Sequence, residues 1–190
     1  MNIAIISDIH DNVWNLGAAL QTIKASEALI CCGDLCSPFI IDLMTDGFQN
    51  QIHIVFGNND GDQYRITDNA ARHDGRVLIH GEFAELKLDG TRFAVNHYPS
   101  IARSIAGSGD YDVVCYGHNH IFRVEHVNDA LLINPGAIMG YDGVNKKEIP
   151  STFVVYDTES GEFKGYEVRS KDDALAGAKI VVEFKLKSYE

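Results

Sequence analysis

Short uninterrupted apolar runs punctuate the chain, separated by segments in which apolar residues recur every three or four positions. The runs are "NIAIIS" (2–7), "EALICC" (27–32), "QIHIVF" (51–56), "TRFAVN" (91–96), "YDVVCY" (111–116) and "ALLIN" (130–134). Runs this short, closed by polar or glycine residues, predict buried β-strands. Behind Asn12, a suitable N-cap, Val13, Leu16, Leu20 and Ile23 form one stripe at helical spacing and predict a helix. A shorter helix is predicted after Pro38. Another is predicted after Pro99, where "SIARSIAG" stops at a glycine. Residues 77–96 predict strands with a turn at Asp89-Gly90, and "TFVVYD" and "EFKGYEV" are again β. In "AKIVVEFKLKSYE", Ile180, Val182, Phe184 and Leu186 share one face, with Lys179, Glu183, Lys185 and Lys187 among those on the other. That alternation predicts an edge strand, one that could pair with a second copy in a homo-oligomer.

The order of elements, strand and helix in turn and then mostly strand, predicts an α/β fold of two sheets packed face to face with helices outside. A length of 190 residues fits one domain, 1–190, in which 171–190 reads as a C-terminal extension adding the edge strand.

Composition narrows the partners. The formal charge is −11, which argues against a broad cationic surface for long nucleic acid, because Lys and Arg must neutralise phosphates. No run of about 18 apolar residues offers a membrane span. The opening "MNIAIISDIHDN" has no basic region and meets an acid at Asp8, so it reads as a first strand rather than a signal peptide. Cys31, Cys32, Cys36 and Cys115 form no CxxC pair and read as small hydrophobes in a reducing, cytoplasmic setting.

Chemistry concentrates where strands end. Asp8 and His10 follow the first strand, Asp34 the second and Asn58 the third; later strands end at His97 and at His118 and His120. Singly, each is an ordinary turn former or surface histidine. Together, on neighbouring strands pointing the same way, they would converge in one cleft beyond the carboxyl ends of the sheet. Glycine precedes Asp34, Asn58 and His118, which allows sharp turns and close approach. Imidazole and carboxylate together suit Mn, Fe, Ni or Zn, and seven donors suit two ions sharing a carboxylate.

The series Asp8-x-His10, Gly33-Asp34, Gly57-Asn58-Asn59-Asp60, His97 and Gly117-His118-x-His120 resembles the five-block motif of calcineurin-like metallophosphoesterases. With "SDIHDN", "YDVVCYGHNH" and "INPGA" it is similar to their small single-domain phosphodiesterase branch, over residues 1 to about 157. The resemblance implies a four-layer α/β/β/α sandwich of two mixed β-sheets flanked by helices. It implies one divalent ion, expected to be Mn, held by Asp8, His10, Asp34 and His120. A second would be held by Asp34, Asn58, His97 and His118. The activity implied is hydrolysis of a small phosphoester, foremost a phosphodiester, by in-line attack of a hydroxide bridging the two ions. The alternatives are a phosphomonoesterase or nucleotidase, and a non-catalytic metal-binding scaffold of the same fold.

Where many members of the family carry a leaving-group histidine, this chain has Asn59. An amide is no general acid, a role typically worth about 10²–10⁴-fold. Asn59 and Asp60 are therefore candidates on the leaving-group side or as supports of neighbouring groups, and Asn59 and Tyr98 as substrate contacts. Asp11 reads as a solvated residue leading into Asn12, and Arg65 and Arg103 as surface cations within reach of a phosphate.

Overall fold

The structure, a computed structural model, describes residues 1–171 and 177–184. Leu186, Lys185 and Lys187 of the expected edge strand, and most of the expected extension, lie outside the described residues.

The chain runs β1 (Asn2–Ile6), α1 (Val13–Ile23), β2 (Ala28–Cys31), α2 (Ile40–Gly47), β3 (Gln51–Ile54), α3 (Gln63–Ala71), β4 (Val77–Ile79), β5 (Phe83–Leu88), β6 (Thr91–Asn96), α4 (Pro99–Ala106) and β7 (Val113–Cys115). Then follow β8 (Arg123–Val127), β9 (Ala130–Asn134), β10 (Tyr141–Asp142), β11 (Lys147–Glu148), β12 (Ser151–Asp157), β13 (Phe163–Ser170) and β14 (Lys179–Phe184). Of the two large sheets, one has seven strands in the order β14-β13-β12-β1-β2-β3-β4 and the other five in the order β5-β6-β7-β9-β8, while β10 and β11 pair by themselves. β1 to β4 pair in parallel, as do β6, β7 and β9, while β12 to β14, β5 and β8 join antiparallel. Both sheets are mixed, as expected, and β14 forms the outer edge of the larger one.

Strand periodicity explains the layering. Successive side chains point to opposite faces, so in β1 Ile3 and Ile5 enter a core shared between the sheets, while Ala4 and Ile6 enter a core beneath the helices. The middle core also takes Ile30, Phe93, Val95, Cys115 and Ile133. The helix-side core takes Leu16, Leu20 and Ile23 of α1, Ile41 and Met44 of α2, and Ile66 of α3. A third cluster packs Ala102 and Ala106 of α4 on Ala94, Val114 and Leu132. Three apolar layers between four structural ones make the α/β/β/α sandwich. Each fully buried Ile or Leu contributes about 1.5–3 kcal/mol, so the central strands are the least dispensable parts.

Four elements lie outside the sequence reading: α3, β8 and the two-residue strands β10 and β11. α3 buries only Ile66 and Ala70, too sparse a stripe to stand out, although its N-cap Asp62 accepts a hydrogen bond from the Arg65 N–H. The strand β8 is exposed or half-buried at every position, with no clean apolar face. The remaining expected elements are present.

Candidate metal centre

Every parallel strand of both sheets that the sequence analysis singled out ends at the same rim. The loops leaving β1, β2 and β3 bring Asp8, His10, Asp34 and Asn58; those leaving β6 and β7 bring His97, His118 and His120. Backbone hydrogen bonds lace these loops together. His10 N–H donates to the Asp34 carbonyl at 3.1 Å, and Gly117 N–H to the His97 carbonyl at 3.1 Å. The His118 N–H donates to Asp8 Oδ2 at 3.0 Å, linking the exits of the two sheets.

The seven groups meet. His120 Nε2 lies 3.3 Å from Asp8 Oδ1, and His10 Nε2 lies 3.8 Å from the same oxygen. Asp34 Oδ2 stands between two imidazoles, 3.5 Å from His10 Nε2 and 3.4 Å from His97 Nε2. On the far side Asn58 Oδ1 lies 3.1 Å from His97 Nε2 and 2.8 Å from His118 Nδ1. Two donor groups, Asp8–His10–His120 and Asp8–Asp34–His97, each place their ligand atoms within 4.8 Å of one another.

These donors fit divalent cations. Ligands at about 2.1 Å around an octahedral ion sit about 3 Å apart along each edge, close to the spacings at Asn58, His97 and His118. Asp8 and Asp34 are 0% and 1% exposed, and two buried carboxylates so close need compensating positive charge. His10 Nε2 is buried without a hydrogen-bond partner. The other nitrogen of His97 bonds the Cys32 carbonyl at 2.8 Å. That bond leaves Nε2 free to serve as a ligand atom once Nδ1 carries the proton.

Electrostatics follow from the crowding. Burial alone would raise the Asp8 carboxyl, but the His10 and His120 imidazoles overrule it and hold it far below the carboxylate range. Asp34 is also lowered: burial opposes this, and the His97 and Asn59 donors prevail. Burial works against a charged His97, yet the Asp34 and Asp8 carboxylates raise its pKa. Asp8 raises that of His120.

Close packing accounts for the glycines. A Cβ on Gly57 would sit 2.2 Å from Asp34 Oδ1, and one on Gly117 would sit 2.5 Å from Asp8 Oδ2. Backbone strain gathers here too. Asp8, His10, Asp34, His118 and His120 all have φ between 43° and 75°, the left-handed region, which costs a non-glycine residue about 1–2 kcal/mol.

The supporting residues take clearer positions than the sequence offered. Asp60, 4% exposed, accepts the backbone N–H groups of Asp34, Gly57 and Cys36 at 2.9, 2.7 and 2.8 Å. Burial pushes its carboxyl up despite those donors. Asn59 turns its amide onto Asp34 Oδ2 at 2.8 Å. Tyr98 stands edge-on to both His97 and His118, with ring centroids 5.2 and 5.3 Å away. Asp11 is half-buried rather than solvated, because its carboxylate accepts the Ser37 N–H at 3.0 Å and hydroxyl at 2.7 Å. Arg65 and Arg103 pair with Asp62 and Glu125 on the surface. Cys36, read as one more small hydrophobe, is half-buried with its Sγ 3.6 Å from His10 Nδ1. Only its place two residues after Asp34 hinted at that.

Comparison with known proteins places this frame in a family. Residues 1–161 match the model of the calcineurin-like phosphoesterase superfamily domain. A phosphodiesterase of Methanocaldococcus jannaschii, MJ0936, is 33% identical over 168 residues, covering 86% of this chain and 97% of that protein. The solved structure of an archaeal phosphodiesterase superposes with a TM-score of 0.79 at 32% identity, covering 88% of this chain and 99% of the other. A Zn²⁺ complex of Vps29 from Entamoeba histolytica shares the fold, with a TM-score of 0.63 at 18% identity, covering 97% of this chain and all of the other. With that family model matched over most of its length and a relative 33% identical, this chain belongs to the calcineurin-like phosphoesterase superfamily.

Proposed function

We propose that this protein hydrolyses small phosphodiesters with two divalent cations, Mn²⁺ foremost and Fe, Ni or Zn as alternatives. Asp8, His10, Asp34 and His120 would hold one ion, and Asp34, Asn58, His97 and His118 the other. The observation that carries this reading is Asp34 Oδ2, which lies within 3.5 Å of an imidazole from each set and so suits a shared ligand. The name of the Methanocaldococcus relative favours a diester over a monoester.

Bound cations would polarise a phosphoryl oxygen and lower the pKa of a water ligand. The chain's own residues do the rest. Asp8 and Asp34 stay ionised and lessen the cationic charge, leaving a local excess that attracts an anion despite the net −11. Asn59 fixes the Asp34 carboxylate with two donors, and Asp60 anchors the backbone of the loop that carries it. Exposed His118 and half-buried His10 and His120 border the open side of the site, where a substrate can approach. Asn59 has no proton to give as an acid, so esters with stable leaving groups are the favoured substrates.

The convergence of all seven donors favours an enzyme over a non-catalytic scaffold that has lost some of them. The reading places the protein in the cytoplasm, supported by its free thiols. Among the described residues no helix is long and apolar enough to cross a membrane. β14, at the edge of its sheet, supports pairing with a second copy.

Hydrolysis of bis(4-nitrophenyl) phosphate and 4-nitrophenyl phosphate with added Mn²⁺ tests the proposal. The diester should be the faster substrate, and chelator should abolish turnover. Full activity in metal-free protein, or preference for the monoester, would overturn it.

A further inference from the structure

The cleft beside the metal centre is larger than a phosphate needs. It encloses about 1060 Å³, against roughly 300–1,000 Å³ for small-molecule sites in general. It starts at His10, passes Trp14 and Tyr141, and reaches Arg169, Lys171 and Lys179. Trp14 is 40% and Tyr141 39% exposed, so two large rings face solvent on its walls.

Their placement is built into the frame of the site. Trp14 stands in the first turn of α1 between Asn12 and Asn15. The side-chain amides of those two donate to the Met139 and Ile138 carbonyls at 2.8 and 3.0 Å. That ties the turn to the segment leading into Tyr141. Both rings are thus tied, through Asn12 and Asn15, to the segment that follows His10.

Charge changes along the cleft. Its acids are Asp11, Glu148 and Glu167. Asp11 is turned onto Ser37, and Glu167 pairs with Arg169 at 2.6 Å. At the far end Lys171 is exposed, and Lys179 is half-buried with its Nζ 2.7 Å from Ser170 Oγ.

We propose that this cleft binds the retained arm of the phosphodiester and that the arm is nucleotide-like, with its planar ring against Trp14 and Tyr141 and a further anionic group at Lys171 and Lys179. The proposal rests on the metal-centre reading above and names its substrate class. Ring stacking on aromatic side chains changes affinity about tenfold or more, and Lys supplies a point charge for phosphate.

Three substrates with one leaving group test it: methyl 4-nitrophenyl phosphate, thymidine 5′-(4-nitrophenyl phosphate), and the same nucleoside ester bearing a 3′-phosphate. The value of kcat/KM should rise about tenfold at the first step and again at the second. Trp14→Leu and Tyr141→Ala should erase the first gain, and Lys171→Ala with Lys179→Ala the second. Equal rates on all three would overturn the inference and leave the metal-centre reading intact; turnover of none would count against that reading instead. Binding decides independently of turnover. Trp14 is the chain's one tryptophan, so its emission reports on the cleft alone. Thymidine 3′,5′-bisphosphate should quench it saturably in metal-free protein, and methyl phosphate should not. No response to the bisphosphate, or an equal response to both, would sink the proposal.

Discussion

Asn59 grips Asp34 at both oxygens: its backbone N–H donates to Oδ1 and its side-chain amide to Oδ2, each at 2.8 Å. The residue that stands where the family resemblance implies an acid therefore serves the carboxylate between the two donor sets. Asn59→Ala removes the side-chain bond alone. Groups that orient metal ligands are worth about 10–100-fold in metal affinity or activity. Calorimetry should show Mn²⁺ binding weakened by a factor in that range, and unchanged affinity would assign the amide to substrate.

Asn59→His supplies a proton donor at that position. The dependence of rate on leaving-group pKa should flatten, with alkyl esters gaining most. A parallel plot for the two proteins would show that the new imidazole takes no part.

Asp60→Asn sets an amide NH₂ against backbone N–H groups that now find a carboxylate. Leaving one buried donor unmet costs about 1–3 kcal/mol, so the urea midpoint should fall with the m-value unchanged. Mn²⁺ affinity should drop with it, because Asp60 anchors the loops of Asp34 and Gly57.

Gly57→Ala pits a methyl group against Asp34 Oδ1 and His97. Metal binding and turnover should be lost together, more than a hundredfold, in a protein that still shows cooperative melting. Gly61→Ala, with open space around it, should behave as wild type in both assays.

Stability of the metal-free protein should peak near pH 6.5. His53, 5% exposed, is driven down to about 4 by burial and then by His80, its hydrogen-bonded partner at 3.1 Å. Its depressed pKa makes protonation unfavourable when folded, so stability falls as pH drops from 6.5 toward 4, by about 1.4 kcal/mol per unit. His97 and His120 are shifted upward. Their contribution is complete below 6.5 and disappears as pH rises through their raised values. Denaturation series across pH should show both limbs, and His53→Leu should shrink the acidic one to the part that half-buried His80 contributes. Saturating Mn²⁺ should suppress the alkaline limb, because metal binding selects neutral imidazole.

Much of this was legible along the chain because strands of both sheets run the same way and spill their polar termini at one rim. Asp8, Asp34 and His118 stand out in sequence since each breaks an apolar run. α3 was hidden by its two-residue buried face, and β8 by having none. Asn59 was legible as an anomaly, though no string of letters says which way an amide points. The partnership of Trp14 and Tyr141 joins positions far apart in the chain, through two asparagine amides, and neither residue marks itself as more than an ordinary aromatic.

The left-handed backbone at Asp8, His10, Asp34, His118 and His120 sets a limit on how this protein can be improved. Glycine would relax each of these positions, but it would delete the donor atom it frees. Tougher variants must therefore draw their gains from the interior between the sheets, away from the rim, because robustness and reactivity compete for the same five dihedral angles.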